Sequence, residues 1–184
     1  SISKSTVSTT HPFFRCQRFY RRAVTFFHHA PRVWVNRATL QIMNDETGLI
    51  LASGSPRRKE LLARTGRTFR VVVSDADEIA PKDMAPVDVA MHNARAKALA
   101  VASGQPASAT VIGADTIVVL DGRIFGKPLD ERDAHRMLRE LSGKTHQVIT
   151  GVALAHEGNC ETFAEVTDVC FRELSDAEIT AYIA

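Results

Sequence analysis

From residue 48 onward, short apolar runs alternate with amphipathic stretches, a pattern typical of an α/β protein. Runs such as Leu49-Ile50-Leu51-Ala52 are continuously apolar, as in strands that are covered on both faces. The predicted strands comprise residues 49–52, 69–73, 110–120, 124–125, 147–156 and 161–171. The predicted helices comprise residues 56–66, 86–103, 130–141 and 175–184. This order predicts one mixed β-sheet with helices on its faces.

Local signals support these boundaries. Pro56 suits the first turn of a helix, with Ser55 before it as N-cap, and Gly66 is a natural residue after the helix end. Asp121-Gly122 is the strongest hairpin signal in the chain. Further predictions are that Asp130 caps one helix, that Ser175 and Glu178 form a capping box on the last, that Leu61 and Leu62 point inward, and that Val89, Ala90, Ala94 and Ala98 share a buried helix face.

Charge separates the beginning of the chain from the rest. Residues 1–44 hold seven Lys or Arg and no Asp or Glu, so they carry +7, whereas the remainder of the 184-residue chain carries −5. We therefore treat residues 1–47 as a basic, acid-poor arm, and residues 48–184 as the domain. Three readings of the arm stay open: a transit peptide, an RNA-binding arm with interleaved aromatics, or sequence upstream of a true start at Met43.

The composition also argues against a membrane-spanning protein, against cysteine chemistry and against nucleic-acid binding. No uninterrupted apolar run is long enough to span a bilayer, so we expect a cytoplasmic protein without a membrane partner, or an organellar one if the arm is a transit peptide. Cys16, Cys160 and Cys170 form no Cys-x-x-Cys pair and have no metal-ligand spacing, which argues against cysteine chemistry. The acidic domain makes nucleic acid an unfavoured partner.

The turn after the first strand has the chemistry of a polyanion site. Ser53 and Ser55 offer hydroxyl donors, and Arg57 and Arg58 add two guanidinium forks at a helix N-terminus. The segment lacks the spacing of a P-loop, and on its own it would be an ordinary strand-to-helix connection with solvated arginines.

Carboxylates and lysines follow at separate positions. Asp115 interrupts an apolar run, so we expect it at a strand end or bulge, facing a cation; the alternative is an Asp that braces the fold by pairing with an arginine. Glu78 follows the second strand in a loop, Lys97 lies in an alanine-rich helix, and Lys127 lies between Gly126 and Pro128. Solvated surface side chains are the alternative for these three.

Taken in order, these motifs resemble the Maf family of nucleoside triphosphate pyrophosphatases. The resemblance runs from about Leu49 to Ile183. It rests on Ser-Gly-Ser-Pro-Arg-Arg, an Asp-Glu after the second strand, Ala-x-x-Lys-Ala, Gly-Ala-Asp-Thr, Lys-Pro, and Leu-Ser-Gly-x-x-His. It implies a cleft in a mixed α/β fold similar to that of the inosine triphosphate pyrophosphatases, Mg²⁺ or Mn²⁺ as activator, and often a homodimer.

The resemblance also implies residue roles. Asp115 would be the proton acceptor, Glu78 a catalytic carboxylate, and both would be metal-linked. The implied phosphate contacts are Ser55, Arg58, Lys97 and Lys127, and the chemistry of the turn adds Ser53 and Arg57 as phosphate-binding candidates. Arg57 and Thr116 match the dTTP/UTP subfamily rather than the branch acting on 7-methyl-GTP, so the expected reaction is hydrolysis of dTTP and UTP, with modified pyrimidine nucleotides as further substrates.

Two expectations qualify this reading. Family members continue past the last helix into a Glu-Pro-x-Asp-Lys-Ala-Gly-Ala-Tyr-Gly-Ile-Gln-Gly stretch, so we expect this sequence to be truncated at its C-terminus and to lack one wall of the cleft. The alternatives to a dTTP/UTP pyrophosphatase are a non-catalytic regulator of cell division and septum formation, a 7-methyl-GTP pyrophosphatase, and a nucleic-acid-binding module.

Overall fold

The structure, a computed structural model, describes residues 48–184 and the backbone of residues 24–25. Apart from those two positions, the predicted basic arm lies outside the described residues, and its boundary with the following domain stays a prediction. Among residues 48–184, no helix combines the length and the apolar character needed to cross a membrane.

The described chain forms a mixed sheet with four helices, which confirms the predicted fold class. The strands are β1 (Val24–Thr25), β2 (Leu49–Ala52), β3 (Arg70–Val71), β4 (Thr110–Leu120), β5 (Arg123–Phe125), β6 (Thr145–His156) and β7 (Asn159–Phe171). The helices are α1 (Pro56–Ala63), α2 (Pro86–Ala102), α3 (Glu131–Leu141) and α4 (Asp176–Ile183). The strand order is β1-β7-β6-β4-β2-β3, and β5 pairs with β4.

The described residues fall into two compact units. Unit one comprises Val118–Gln147, Asp168–Ala184 and the short strand β1, and unit two comprises residues 48–117 and Val148–Thr167. In unit two, β2 lies between β3 and β4 and is parallel to both. The core cluster of unit two consists of Ile50, Ala52, Ala94, Ala98, Val101, Ala109, Val111, Ala153 and Ala155.

Helix α2 packs against the strands of unit two at very short range. A Cβ on Gly113 in β4 would lie 2.3 Å from the carbonyl oxygen of Ala94, and a Cβ on Gly151 in β6 would lie 2.3 Å from that of Ala90. Backbone atoms cannot approach a side-chain carbon that closely, so both strand positions require glycine. The predicted alanine face of α2 is buried, which confirms that prediction and brings the polar residues beside it close to β4.

Local signals in unit one are confirmed. Asp121 and Gly122 both have positive φ, as a tight hairpin turn between β4 and β5 requires. The Asp130 side chain accepts a hydrogen bond from the backbone N–H of Asp133 at the start of α3. Ser175 and Glu178 form the complete capping box of α4.

The structure differs from the sequence prediction at α1 and β3, most clearly in the predicted burial of α1. Leu61 is 54% exposed, and α1 has no buried residue, because an apolar pattern does not supply the surface that covers it. Ser55 occupies the N-cap position, which confirms that prediction, although its side chain makes no capping hydrogen bond. Helix α1 ends at Ala63, three residues before Gly66, whose positive φ agrees with its predicted place after the helix end, and β3 comprises only Arg70 and Val71, paired with Ile50 and Leu51 of β2.

Candidate active site

Asp115 is the centre of a buried polar cluster in unit two. It lies in the interior of β4, two residues beyond Gly113, where the pairing of β4 with β2 ends. The prediction that Asp115 lies at a strand end or a bulge is therefore wrong, because β4 continues without interruption from Thr110 to Leu120. Asp115 Oδ1 lies 2.7 Å from the Nζ of Lys97, so a lysine ammonium faces this carboxylate, and its predicted metal link stays a prediction.

Lys97 connects the two predicted catalytic carboxylates. Its Nζ lies 2.7 Å from Asp115 Oδ1 and 2.8 Å from Glu78 Oε1. Lys97 is placed there by α2, and Glu78 by the loop between β3 and α2. The structure thus brings together two carboxylates that are 37 positions apart in the sequence, around one ammonium group.

Asn93 belongs to the same cluster, and the sequence analysis missed it. Its Nδ2 donates to Asp115 Oδ2 at 3.1 Å and to the backbone oxygen of Ile79 at 3.0 Å. Its Oδ1 accepts from the backbone N–H of Ile79 at 2.9 Å. The available signal was its position four residues before Lys97 in an alanine-rich helix, which places both side chains on one face.

Arg58 joins the start of α1 to β4. Its Nη1 donates to the backbone oxygen of Ala114 at 2.8 Å and to Ser53 Oγ at 3.1 Å. Burial lowers the pKa of Arg58 from its usual value, and the charges of Asp115 and Glu78 oppose that shift. A guanidinium has five N–H donors, so Arg58 fixes its own position through strand contacts and still has donors for an anion.

Thr116 follows Asp115 and extends the cluster toward β6. Arg58 Nη2 donates to Thr116 Oγ1 at 3.0 Å, and the same oxygen lies 3.2 Å from Thr150 Oγ1. Thr150 is a second residue that the sequence analysis missed, since only the fold of β6 brings it beside β4. The predicted specificity residue Thr116 is thus linked to the predicted phosphate contact Arg58.

The turn between β2 and α1 places the remaining predicted contacts. Ser53 is buried, and its Oγ accepts from Arg58 and from the backbone N–H of Ser55 at 3.3 Å. Arg57 is exposed on the first turn of α1, and it makes no hydrogen bond or ion pair with the residues the structure describes. The arginine pair therefore divides: Arg58 is part of the polar cluster, and Arg57 points to solvent.

Lys127 lies in unit one. It is exposed, two residues after the end of β5. The other predicted site residues all lie in unit two, and the predicted role of Lys127 stays a prediction.

Comparison with known proteins identifies the family. The family model described as Maf-like protein matches residues 48–184. A dTTP/UTP pyrophosphatase of Akkermansia muciniphila is 49% identical over 135 residues, which cover 73% of this chain and 71% of that protein. A dTTP/UTP pyrophosphatase of Bacillus cytotoxicus is 53% identical over 135 residues, which cover 73% of this chain and 70% of that protein.

Among solved structures, the Staphylococcus aureus Ham1 protein matches with a TM-score of 0.48 and 15% identity, covering 70% of this chain and 72% of its own. The family assignment rests on the sequence comparisons, which agree with the order of motifs from Ser53 to His146. By the match over residues 48–184 and the identity of about half to these relatives, the chain belongs to the Maf family.

Proposed function

We propose that this chain hydrolyses dTTP and UTP between the α and β phosphates, releasing pyrophosphate and the nucleoside monophosphate. The observation that carries the proposal is the buried carboxylate of Asp115, held by Lys97 and Asn93 and joined through Lys97 to Glu78. Related proteins about 50% identical to this chain are named dTTP/UTP pyrophosphatases, which supports the choice of substrates.

Each candidate residue has a role in that reaction. Water attacks the α phosphorus, the bond to the bridging oxygen breaks, and pyrophosphate leaves; Asp115 takes the proton of the attacking water. Arg58 directs its remaining guanidinium donors at phosphate oxygens, and exposed Arg57 adds a second fork. Ser53, Ser55, Lys97 and Lys127 are proposed as further phosphate contacts, and Arg57 and Thr116 as determinants of pyrimidine nucleotide specificity.

The donor set of the cluster fits a divalent cation. Glu78 and Asp115 are hard oxygen donors, and they converge, since both contact the same Lys97 nitrogen. Among residues 48–184 no three His, Cys, Asp or Glu side chains form a complete metal cage. Mg²⁺ commonly uses one or two carboxylates and completes its shell with phosphate oxygens and water. Bound there by Glu78 and Asp115, Mg²⁺ or Mn²⁺ would neutralise charge on the phosphates.

The test is pyrophosphate release from dTTP, UTP, 7-methyl-GTP and ATP with Mg²⁺. We expect turnover of dTTP and UTP, and a loss of about 10²-fold to 10⁴-fold in Asp115→Asn, the range for removing a general base. Asp88→Asn, at an exposed position in the first turn of α2, is the matched control and should keep full activity. Absence of turnover by the wild type, or full activity of Asp115→Asn, would reject the proposal.

Product patterns separate the alternatives. Preference for 7-methyl-GTP would move the chain to that branch of the family. Binding of dTTP without turnover, unchanged in Asp115→Asn, would favour a non-catalytic regulator. A homodimer and a cytoplasmic location are further proposals, to be checked by sedimentation and by localising the tagged chain.

A further inference from the structure

Asn93 is a buried amide in a helix otherwise built from small and apolar residues on that face. It is 3% exposed, and its neighbours on the buried face of α2 include Ala90 and Ala94. A buried amide is retained only when its hydrogen bonds are satisfied, since an unpaired one is costly. The partners of Asn93 therefore indicate what it is for.

The backbone of Ile79 fixes the orientation of the Asn93 amide. Because the Ile79 N–H is a donor, the atom facing it must be Oδ1, which accepts at 2.9 Å. The amide nitrogen then faces the other way and donates its two hydrogens to the Ile79 oxygen and to Asp115 Oδ2. A flipped amide would place two donors against each other at Ile79, so the donor toward Asp115 is dictated by the fold.

The same bonds hold the loop that carries Glu78. Both backbone polar groups of Ile79 bond to one side chain, immediately after Glu78 in the chain. Elsewhere in the loop, Ser74 Oγ accepts from the N–H of Ala76, and Glu78 itself pairs with Lys97 of α2. Asn93 therefore adds a second contact, beside the Lys97–Glu78 ion pair, that ties this irregular segment to α2.

Two residues of α2, Asn93 and Lys97, thus make different contacts within the cluster. Lys97 contacts one oxygen of Asp115 and Glu78, and Asn93 contacts the other oxygen of Asp115 and the backbone beside Glu78. Lys97 interacts with both carboxylates through its charge, whereas Asn93 hydrogen-bonds to Asp115 and holds the backbone next to Glu78. With both oxygens of Asp115 engaged, its carboxylate plane has a single orientation.

We propose that Asn93 is a positioning residue for the pyrophosphatase reaction, which orients Asp115 and fixes the loop that presents Glu78. The inference rests on the proposed function. Asn93 acts through these two carboxylates and is not itself proposed to contact the substrate. Since a misplacement of about 1 Å can cost about 10²-fold in rate, we expect Asn93→Ala to lower kcat by a factor of that order.

KM should change far less than kcat. Arg57 and Arg58, the proposed phosphate contacts on α1, make no hydrogen bond to Asn93, so ground-state binding of dTTP keeps these contacts. A change in KM of less than about threefold is expected, because the lost interactions orient catalytic groups rather than bind the nucleotide. Asn93→Ser, which retains one hydroxyl for Ile79 or Asp115, should recover part of the rate.

The control is a variant that destabilises the same helix without removing a hydrogen bond or ion pair of the cluster. Val89 is fully buried on α2, and Val89→Ala removes core volume only. It should lower thermal stability and leave kcat within about twofold of the wild type. Equal losses of kcat in Val89→Ala and Asn93→Ala would overturn the inference, because they would show that general loosening of α2 is sufficient.

Two further measurements report on the loop and on coupling. Amide hydrogen exchange of the peptide 74–84 should become faster in Asn93→Ala and not in Val89→Ala. In the double variant with Glu78→Gln, the two losses of kcat should be clearly less than multiplicative, because Asn93 acts partly through Glu78. The exchange measurement needs no activity, and Asn93→Ser serves for the kinetics if the alanine variant does not fold.

The outcomes separate the two proposals. Wild-type turnover with a normal kcat in Asn93→Ala, or unchanged exchange in 74–84, would overturn the role of Asn93 and leave the proposed function intact. A wild type without turnover, under conditions where loop exchange does respond to Asn93→Ala, would reject the proposed function and leave a purely structural amide.

Discussion

Replacing Lys97 with methionine removes an ammonium group and keeps an unbranched side chain with good helix propensity. In the native cluster the ammonium lies within 2.8 Å of one oxygen on each of two carboxylates. The side chains of Lys97 and Asp115 are 13% and 8% exposed, whereas that of Glu78 is 42% exposed. The cost of Lys97→Met should therefore come mainly from Asp115.

The magnitude follows from that difference in exposure. Removing one partner of a buried ion pair costs about 3–5 kcal/mol, because the other charge is left buried without compensation. Asp115 keeps the hydrogen bond from Asn93, which favours the lower end of this range. The pair with half-exposed Glu78 adds at most about 1 kcal/mol. We expect Lys97→Met to lower the free energy of unfolding by about 3 kcal/mol.

Urea unfolding at pH 7 measures this value, with Lys59→Met as a matched control at an exposed position of α1. The control should lie within about 0.5 kcal/mol of the wild type. Asp115→Asn should restore most of the stability in the Lys97→Met background, since a neutral amide needs no cation. If Lys97→Met were as stable as Lys59→Met, or if the two substitutions were additive, the electrostatic argument would be refuted.

Two more predictions concern packing and pH. Gly113→Ala should lower the free energy of unfolding by about 1–3 kcal/mol and reduce activity, because the new Cβ would clash with the backbone of Ala94. Gly104→Ala is the control, since its Cβ would make only an ordinary contact, and it should leave stability unchanged. Equal urea midpoints for the two variants would contradict the prediction. Burial lowers the pKa of His146 from its usual 6.5, and neither ring nitrogen has a hydrogen-bond partner among the described residues. The neutral ring is therefore favoured in the folded state, so the free energy of unfolding should fall below pH 6.5 by up to about 1.4 kcal/mol per pH unit. Urea unfolding at pH 5.5 and pH 7 measures this loss, which should disappear in His146→Phe and persist in His92→Gln, a substitution at an exposed position. The same loss of stability in the wild type and in His146→Phe would contradict the assignment to His146.

Local sequence signals were sufficient wherever the interaction they describe is itself local. The Asp121-Gly122 turn, the Asp130 cap and the box of Ser175 with Glu178 each involve groups within four residues of one another, and all three are confirmed. The apolar pattern of α1 failed at Leu61, because burial depends on another element to cover the face. Sequence periodicity identifies an apolar face but not its partner.

The candidate site shows the same division. Asp115 was predictable because a carboxylate inside an apolar run must be compensated, and its cation is Lys97. Asn93 was missed because an uncharged amide in a helix can lie at the solvent-exposed surface, and only the fold shows that it is buried against the backbone of Ile79. Thr150 was missed for a related reason, since only the pairing of strands brings it within 3.2 Å of Thr116.

Small residues determine the geometry of this site as much as the charged ones. A Lys side chain on α2 can reach Asp115 on β4 only if the helix axis lies close to the strand, and Gly113 and Gly151 permit that approach. With alanines on the facing side of α2, backbone meets backbone, and the polar side chains of Asn93 and Lys97 need to bridge only a short gap. A bulkier residue at Gly113 would therefore move two cluster residues at once. We infer that Gly113 helps to set the geometry of the candidate active site, because it determines how closely α2 approaches Asp115.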